Sequence, residues 1–175
     1  MALSGPLPKP ALIPVGALVV LVGAPAAGKS TFAARLVEAG VVDAHDVLSA
    51  DALRQEITGD ASDTSRDRKV FARIRGEVDD RLRAGRTTVV DATGLWPRRR
   101  ARHLTVARDH GRPTVAVRFP TPITELLARN AARSRIVPPG AVVGMARQLE
   151  SGATAEHLRA EGFDLVVDAD DVFAP

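Results

Sequence analysis

The residues Gly23-Ala24-Pro25-Ala26-Ala27-Gly28-Lys29-Ser30, followed by Thr31, fit the spacing G-x-x-x-x-G-K-[ST]. Glycines at both ends let the backbone curl until its N–H groups face inward and line an anion-sized nest. A helix starting there adds the positive end of its dipole. In this chemistry Lys29 reaches the β- and γ-phosphates of a nucleoside triphosphate, and the Ser30 hydroxyl is a ligand for Mg²⁺. Four fixed positions match by chance in about 1% of chains of this length. A buried strand before the motif and a helix after it lower that further.

Other reactive side chains follow apolar runs. Ser49-Ala50-Asp51-Ala52-Leu53-Arg54 places Asp51 just after a short strand, with Arg54 three residues on along the same helical face. A carboxylate there can accept a hydroxyl proton, and the guanidinium can neutralise a transferring phosphoryl group. The same pair also reads as a helix cap and a solvated arginine. Asp91, at the end of Thr87-Thr88-Val89-Val90-Asp91, is placed to hold a Mg²⁺-bound water. Trp96-Pro97-Arg98-Arg99-Arg100-Ala101-Arg102 crowds four arginines at a helix start, where the dipole disfavours cations. That cost points to an anionic partner, against the plainer alternative of a solvated basic turn. Arg129 and Arg133 are four apart on a predicted helix, ahead of Pro138-Pro139-Gly140.

These residues need a frame, and the sequence predicts an α/β one. Strands are expected at Ala17–Val22, Asp46–Ala50, Thr87–Asp91, Thr114–Phe119 and Asp164–Val167. Helices are expected at Ser30–Ala39, Ala52–Ile57, Arg66–Ala84, Pro97–His110, Ile123–Ser134, Ala141–Glu150 and Ala155–Ala160. The polar run Gly59–Ser65 reads as a mobile loop. Strands alternating with helices imply a parallel sheet covered on both faces, with ligands at the carboxyl ends of its strands.

Composition narrows the class. The chain has 175 residues, 45% hydrophobic and 26% charged, which suits one globular domain with a real core. There is no Cys, so no disulfide-linked partner is possible, and a cytoplasmic location fits. The longest apolar run, Ala17–Val22, is too short to span a bilayer, so no membrane association is expected. Residues 1–15 read as a flexible, Pro-rich N-terminal arm ahead of a single domain over 16–175. The basic residues are nearly all Arg, the lysines being Lys9, Lys29 and Lys69, and Arg suits bidentate phosphate recognition. His45, His103, His110 and His157 are scattered without metal-ligand spacing.

Gly23–Thr31, Ser49–Arg54, Val90-Asp91-Ala92-Thr93 and Arg129-Asn130 through Arg133 to Val137-Pro138, taken in order, resemble the kinase domain of the polynucleotide 5′-kinase family. The likeness covers about residues 17–150. It implies a P-loop kinase fold with a five-stranded parallel sheet in the order 2-3-1-4-5, helices on both faces, and an Arg-bearing helical lid over about 129–144. It implies ATP (or another NTP) and Mg²⁺ held by Gly23, Ala26, Ala27, Gly28, Lys29, Ser30 and Thr31, with Ser30 and Asp91 on the metal side. Asp51 would be the general base toward a 5′-hydroxyl, with Arg54 and Lys29 completing the catalytic set. Arg54, Thr93, Arg98 and Arg102 would face the acceptor, and Arg129 and Arg133 the donor phosphates. One departure stands out: the family usually has Asn after Asp-Ala-Thr, and here it is Gly94. These 175 residues hold no Asp-x-Asp-Gly-Thr signature, and the phosphatase and ligase domains often fused to such kinases are not expected within them, so 3′-phosphatase activity is not expected from this chain. The implied acceptor is a nucleic-acid 5′-OH end. The alternatives are a small-molecule kinase of the zeta toxin or chloramphenicol phosphotransferase type, and an NTP-dependent switch without transfer.

Overall fold

Five short runs rich in Val and Leu become strands: β1 (Leu18–Val22), β2 (Val47–Ser49), β3 (Thr88–Asp91), β4 (Thr114–Arg118) and β5 (Leu165–Asp168). The computed structural model describes residues 12–173. All pairings are parallel and the sheet order is β2-β3-β1-β4-β5, as the resemblance implies. β1 is central and wholly buried, because helices cover both its faces. Its side chains alternate: Leu18, Val20 and Val22 join one core, and Val19 and Leu21 the other.

The helices are α1 (Lys29–Glu38), α2 (Ala50–Thr58), α3 (Asp67–Arg83), α4 (Pro97–Asp109), α5 (Ile123–Ala131), α6 (Pro139–Gly152), α7 (Ala155–Glu161) and α8 (Ala169–Val172). The first core takes Val70, Ile74, Val78 and Leu82 of α3, Leu104 of α4 and Leu158 of α7. The second takes Phe32 and Leu36 of α1, Leu126 of α5 and Val172 of α8. α6 contributes to both, through Leu149 and Val142.

Several boundaries differ from expectation for identifiable reasons. α2 begins at Ala50, because the Ser49 hydroxyl accepts from the Ala52 N–H and caps it. α5 stops at Ala131, not Ser134. The buried Asn130 side chain donates to the Val137 carbonyl (2.7 Å) and accepts from its N–H (3.1 Å), which pins the following turn back on the helix. α6 starts two residues early because Pro138 and Pro139 occupy its cap and first turn. The short α8 and the 3₁₀ turns Ala44–Asp46 and Thr64–Arg66 were not foreseen. Most of the predicted N-terminal arm lies outside the described residues; of its last residues, Ile13 is packed in the second core.

Candidate active site

The loop from β1 into α1 is shaped by backbone conformation. Gly28 has φ +93°, and Ala26, a non-glycine, is held at φ +65°. Left-handed residues in this loop turn successive N–H groups inward, and a strained Ala at such a place is a mark of a functional loop. Gly23 is required for a different reason: a Cβ there would lie 2.8 Å from the Phe119 Cβ. The Lys29 ammonium folds onto its own loop, donating to the carbonyls of Gly23 (2.9 Å) and Ala24 (2.7 Å). Burial pushes its pKa down to about 8, against the opposing pull of Asp91 and Asp51.

The metal-side pair is assembled from two elements. The Ser30 hydroxyl at the start of α1 donates to Asp91 Oδ2 at the end of β3 (2.8 Å). Burial raises the Asp91 carboxyl above its usual range, while Ser30 and Lys29 oppose the shift. A hydroxyl and a carboxylate side by side beneath an anion nest are a donor set of the hard oxygen type that suits Mg²⁺. Bound there, the ion would neutralise charge on the donor phosphates.

Asp51 lies in the first turn of α2, and since Ser49 takes the capping role its carboxylate is free to face the cleft. Arg54 Nη1 donates to its Oδ1 (2.7 Å), and Arg135 pairs with its Oδ2. Arg54 is itself buried. Its Nε donates to Asp67 Oδ1 (2.8 Å), and it does not line the cleft. In this structure Arg54 thus contacts Asp51 and Asp67 and stands behind the cleft wall.

The cleft at the carboxyl edge of the sheet has a volume of about 580 Å³. It brings together the phosphate loop from Pro25 to Thr31 and Asp51, Asp91, Thr93, Arg129 and Arg133. Arg129 and Arg133 do not share a helix face as predicted, because Arg133 falls in the turn after α5; both still line the cleft. Arg98 and Arg102, predicted to face the acceptor, are exposed and outside it. Arg99 stacks on Phe71 at 3.5 Å, and Arg100 is fully buried, so the four-arginine turn is not one functional patch. Sequence reasoning missed Arg135, whose link to Asp51 spans 84 residues. It also missed Arg35, Phe119 and Asp170, which line the cleft from α1, from the residue after β4 and from α8.

Gly94 has φ +63°, and a Cβ there would sit 2.2 Å from the Leu21 carbonyl oxygen. The backbones of β1 and the loop after β3 press together at this point, helped by the Gly23 N–H donating to the Thr93 carbonyl (2.9 Å). No side chain fits here without a shift of the backbone, which accounts physically for the glycine.

A family model described as an AAA domain matches residues 18–151, the greater part of the chain. The chain belongs to this AAA-domain family of P-loop NTPases. Membership implies binding of a nucleoside triphosphate, typically with Mg²⁺, which the nest, Lys29, Ser30 and Asp91 fit. No curated protein matches the chain in sequence. Among solved structures this AAA-domain chain is similar to one chain of the Pnkp1/Rnl/Hen1 RNA repair complex, with a TM-score of 0.66 and 23% identity. That match covers 77% of this chain but 44% of the other, so the chain spans less than half its length. It is also similar to a gluconokinase from Sinorhizobium meliloti 1021 (TM-score 0.57, 19% identity, 91% and 88% of the two chains). A third is a shikimate kinase from Acinetobacter baumannii in complex with shikimate (TM-score 0.55, 16% identity, 95% and 93%). At these identities the likeness is one of fold. Family and fold together describe a P-loop NTPase domain with a kinase-like fold. No helix among the described residues is long and apolar enough to cross a membrane.

Proposed function

We propose that the chain transfers the γ-phosphoryl group of ATP to the 5′-hydroxyl end of RNA or DNA. The observation that carries this reading is Asp51, clamped by Arg54 and Arg135 in the same cleft as the Lys29–Ser30–Asp91 cluster. Arg54 fixes Oδ1. Oδ2 faces the lid arginine and accepts the proton of the incoming hydroxyl once Arg135 turns onto the charged acceptor. The hydroxyl oxygen forms its bond to the γ-phosphorus as the bond to the bridging oxygen breaks, and ADP leaves. Lys29 stabilises charge on the transferring group, and the lid turn carrying Arg129 and Arg133 helps exclude water. Ser30 and Asp91 would hold Mg²⁺, which would supply charge neutralisation on the phosphates.

A small hydroxylated metabolite as acceptor is the second reading. The near full-length match to the gluconokinase and shikimate kinase folds favours it, as does the position of Arg98 and Arg102 outside the cleft. The test is label transfer from γ-labelled ATP to 5′-OH RNA, 5′-OH DNA and a panel of sugars and cyclic alcohols in parallel. Asp51→Asn is expected to lower transfer to the preferred acceptor by roughly 100-fold or more, with nucleotide affinity retained. Near-full transfer in Asp51→Asn would remove the base assignment. Transfer to a small alcohol alone would replace the 5′-end reading.

A further inference from the structure

The arginines left outside the cleft have a pattern of their own. α3 and α4 lie side by side: Arg99 stacks on Phe71 near their starts, and His110 Nε2 is 2.8 Å from Asp79 Oδ1 near their ends. Between these points Arg75 and Arg99 both repel a charge on His103, whose buried imidazole is held down near 4, chiefly by its burial. Arg75 is one turn beyond Phe71 and Arg68 one turn before it, so both belong to the edge of α3 that meets α4. On α4, Arg98 and Arg102 are four apart and share a face. Arg68, Arg75, Arg98 and Arg102 are all exposed, and none makes an ion pair among the described residues. The carboxylate at the head of this seam, Asp67, is already shared by Arg54 (2.8 Å) and Arg99 (3.6 Å).

The seam therefore begins one ion-pair step from the arginine that holds Asp51. Along the chain, Trp96 lies between Thr93, which lines the cleft, and Arg98. It is 51% exposed, and it is the protein's single tryptophan. Unneutralised guanidiniums in a row suit a ligand with regularly spaced phosphates, since each fork can bind one oxygen pair. An exposed indole at one end suits a ligand that also carries flat bases. Duplex ends hide their bases in the stack, whereas a single strand presents them.

We propose that the α3–α4 seam binds the phosphate backbone of a single-stranded nucleic acid, with Trp96 stacking on a base close to the cleft. This rests on the 5′-end reading for its biological sense, but binding can be measured without any transfer. With one tryptophan and no tyrosine in the chain, intrinsic fluorescence reports Trp96 directly. The full chain, free of nucleotide, is titrated with a 5′-OH single-stranded oligonucleotide at several salt concentrations, beside inorganic polyphosphate.

The expected result is quenching by the oligonucleotide, with log affinity falling against log salt by about 0.7 for each phosphate contact. Arg68→Gln/Arg75→Gln should weaken binding by about tenfold or more and flatten that slope by about 1.4. Its unliganded emission and melting temperature, unchanged, show that the fold is intact. Trp96→Ala, followed by a labelled oligonucleotide, should lose about tenfold in affinity. Absence of quenching, or equal affinity in the double-arginine variant, overturns the proposal. So does polyphosphate binding as tightly as the oligonucleotide with Trp96→Ala indifferent, which would mark a general polyanion surface. Quenching with the predicted salt slope but no transfer to any 5′-OH end keeps the seam and removes the 5′-end kinase reading. Transfer to 5′-OH ends without quenching does the reverse.

Discussion

Lys29 shows how one buried charge is poised for a ligand. Its ammonium is satisfied by two loop carbonyls, yet burial holds its pKa near 8 against an ordinary 10.5. Between about pH 8 and 10.5 the unfolded chain keeps this proton and the folded chain has lost it. The unliganded fold therefore gains stability from this group as pH rises through that window. Phosphates bound in the nest favour the ammonium and work the opposite way: above about pH 8, binding must first restore the proton. ADP affinity is expected to drop by about tenfold from pH 7 to pH 9, as protonated Lys29 becomes scarce. Calorimetric titration at the two pH values checks this, with Lys29→Met as the control that binds weakly at both. A flat wild-type profile would mean that Lys29 is not the titrating group. At this scale the loop was legible, because Gly, Lys and Ser at fixed spacing carry the chemistry in their types. Ala26 at φ +65° was not, since nothing in an alanine announces a left-handed backbone.

Among elements, the run Arg98–Arg102 is the clearest case of what one sequence conceals. Its members meet different fates set by helix phase. Arg98 and Arg102 face solvent, Arg99 lies over Phe71, and Arg100 points inward. Arg100 ties four segments together: Nε donates to Glu161 Oε2 at the end of α7 (2.7 Å), Nη1 to the Gly94 carbonyl (2.7 Å), and Nη2 to the Gly152 carbonyl (3.4 Å). It thereby braces from behind the loop that carries Thr93. Arg100→Met removes the cation and leaves Glu161 and two carbonyls without their donor, at an expected cost of about 3–5 kcal/mol in urea unfolding. Replacing Glu161 by Leu as well should recover part of that loss. A single-variant cost below about 1 kcal/mol would show that water takes over these bonds. The Arg135–Asp51 pair was hidden for a related reason: only the fold brings α2 and the turn after α5 together.

For the whole molecule, the fold was legible because both-sides-buried parallel strands read as unbroken apolar runs. Strand order followed from the resemblance, and the four-residue α8 was too short to leave a periodic signal. What joins the parts is the central position of β1. Its side chains feed both cores, its end opens into the phosphate loop, and its neighbours β3 and β4 bring Asp91 and Phe119 to that loop. The α5–α6 segment, the phosphate loop and the sheet should then unfold together, and a nucleotide bound in the cleft should stabilise all of it. At 100 times its dissociation constant a ligand adds about 2.7 kcal/mol. For a domain of this size that is a rise of roughly 5–10 °C in melting temperature. Scanning calorimetry with Mg²⁺ and a non-hydrolysable ATP analogue is expected to show one transition moved upward by that amount. Lys29→Ala at the same ligand concentration should show almost none of the shift. Two transitions, of which nucleotide moves one, would mean that the α5–α6 segment melts as a unit of its own. In that case the buried Asn130–Val137 clasp would hold the turn after α5 to that helix without coupling it to the sheet.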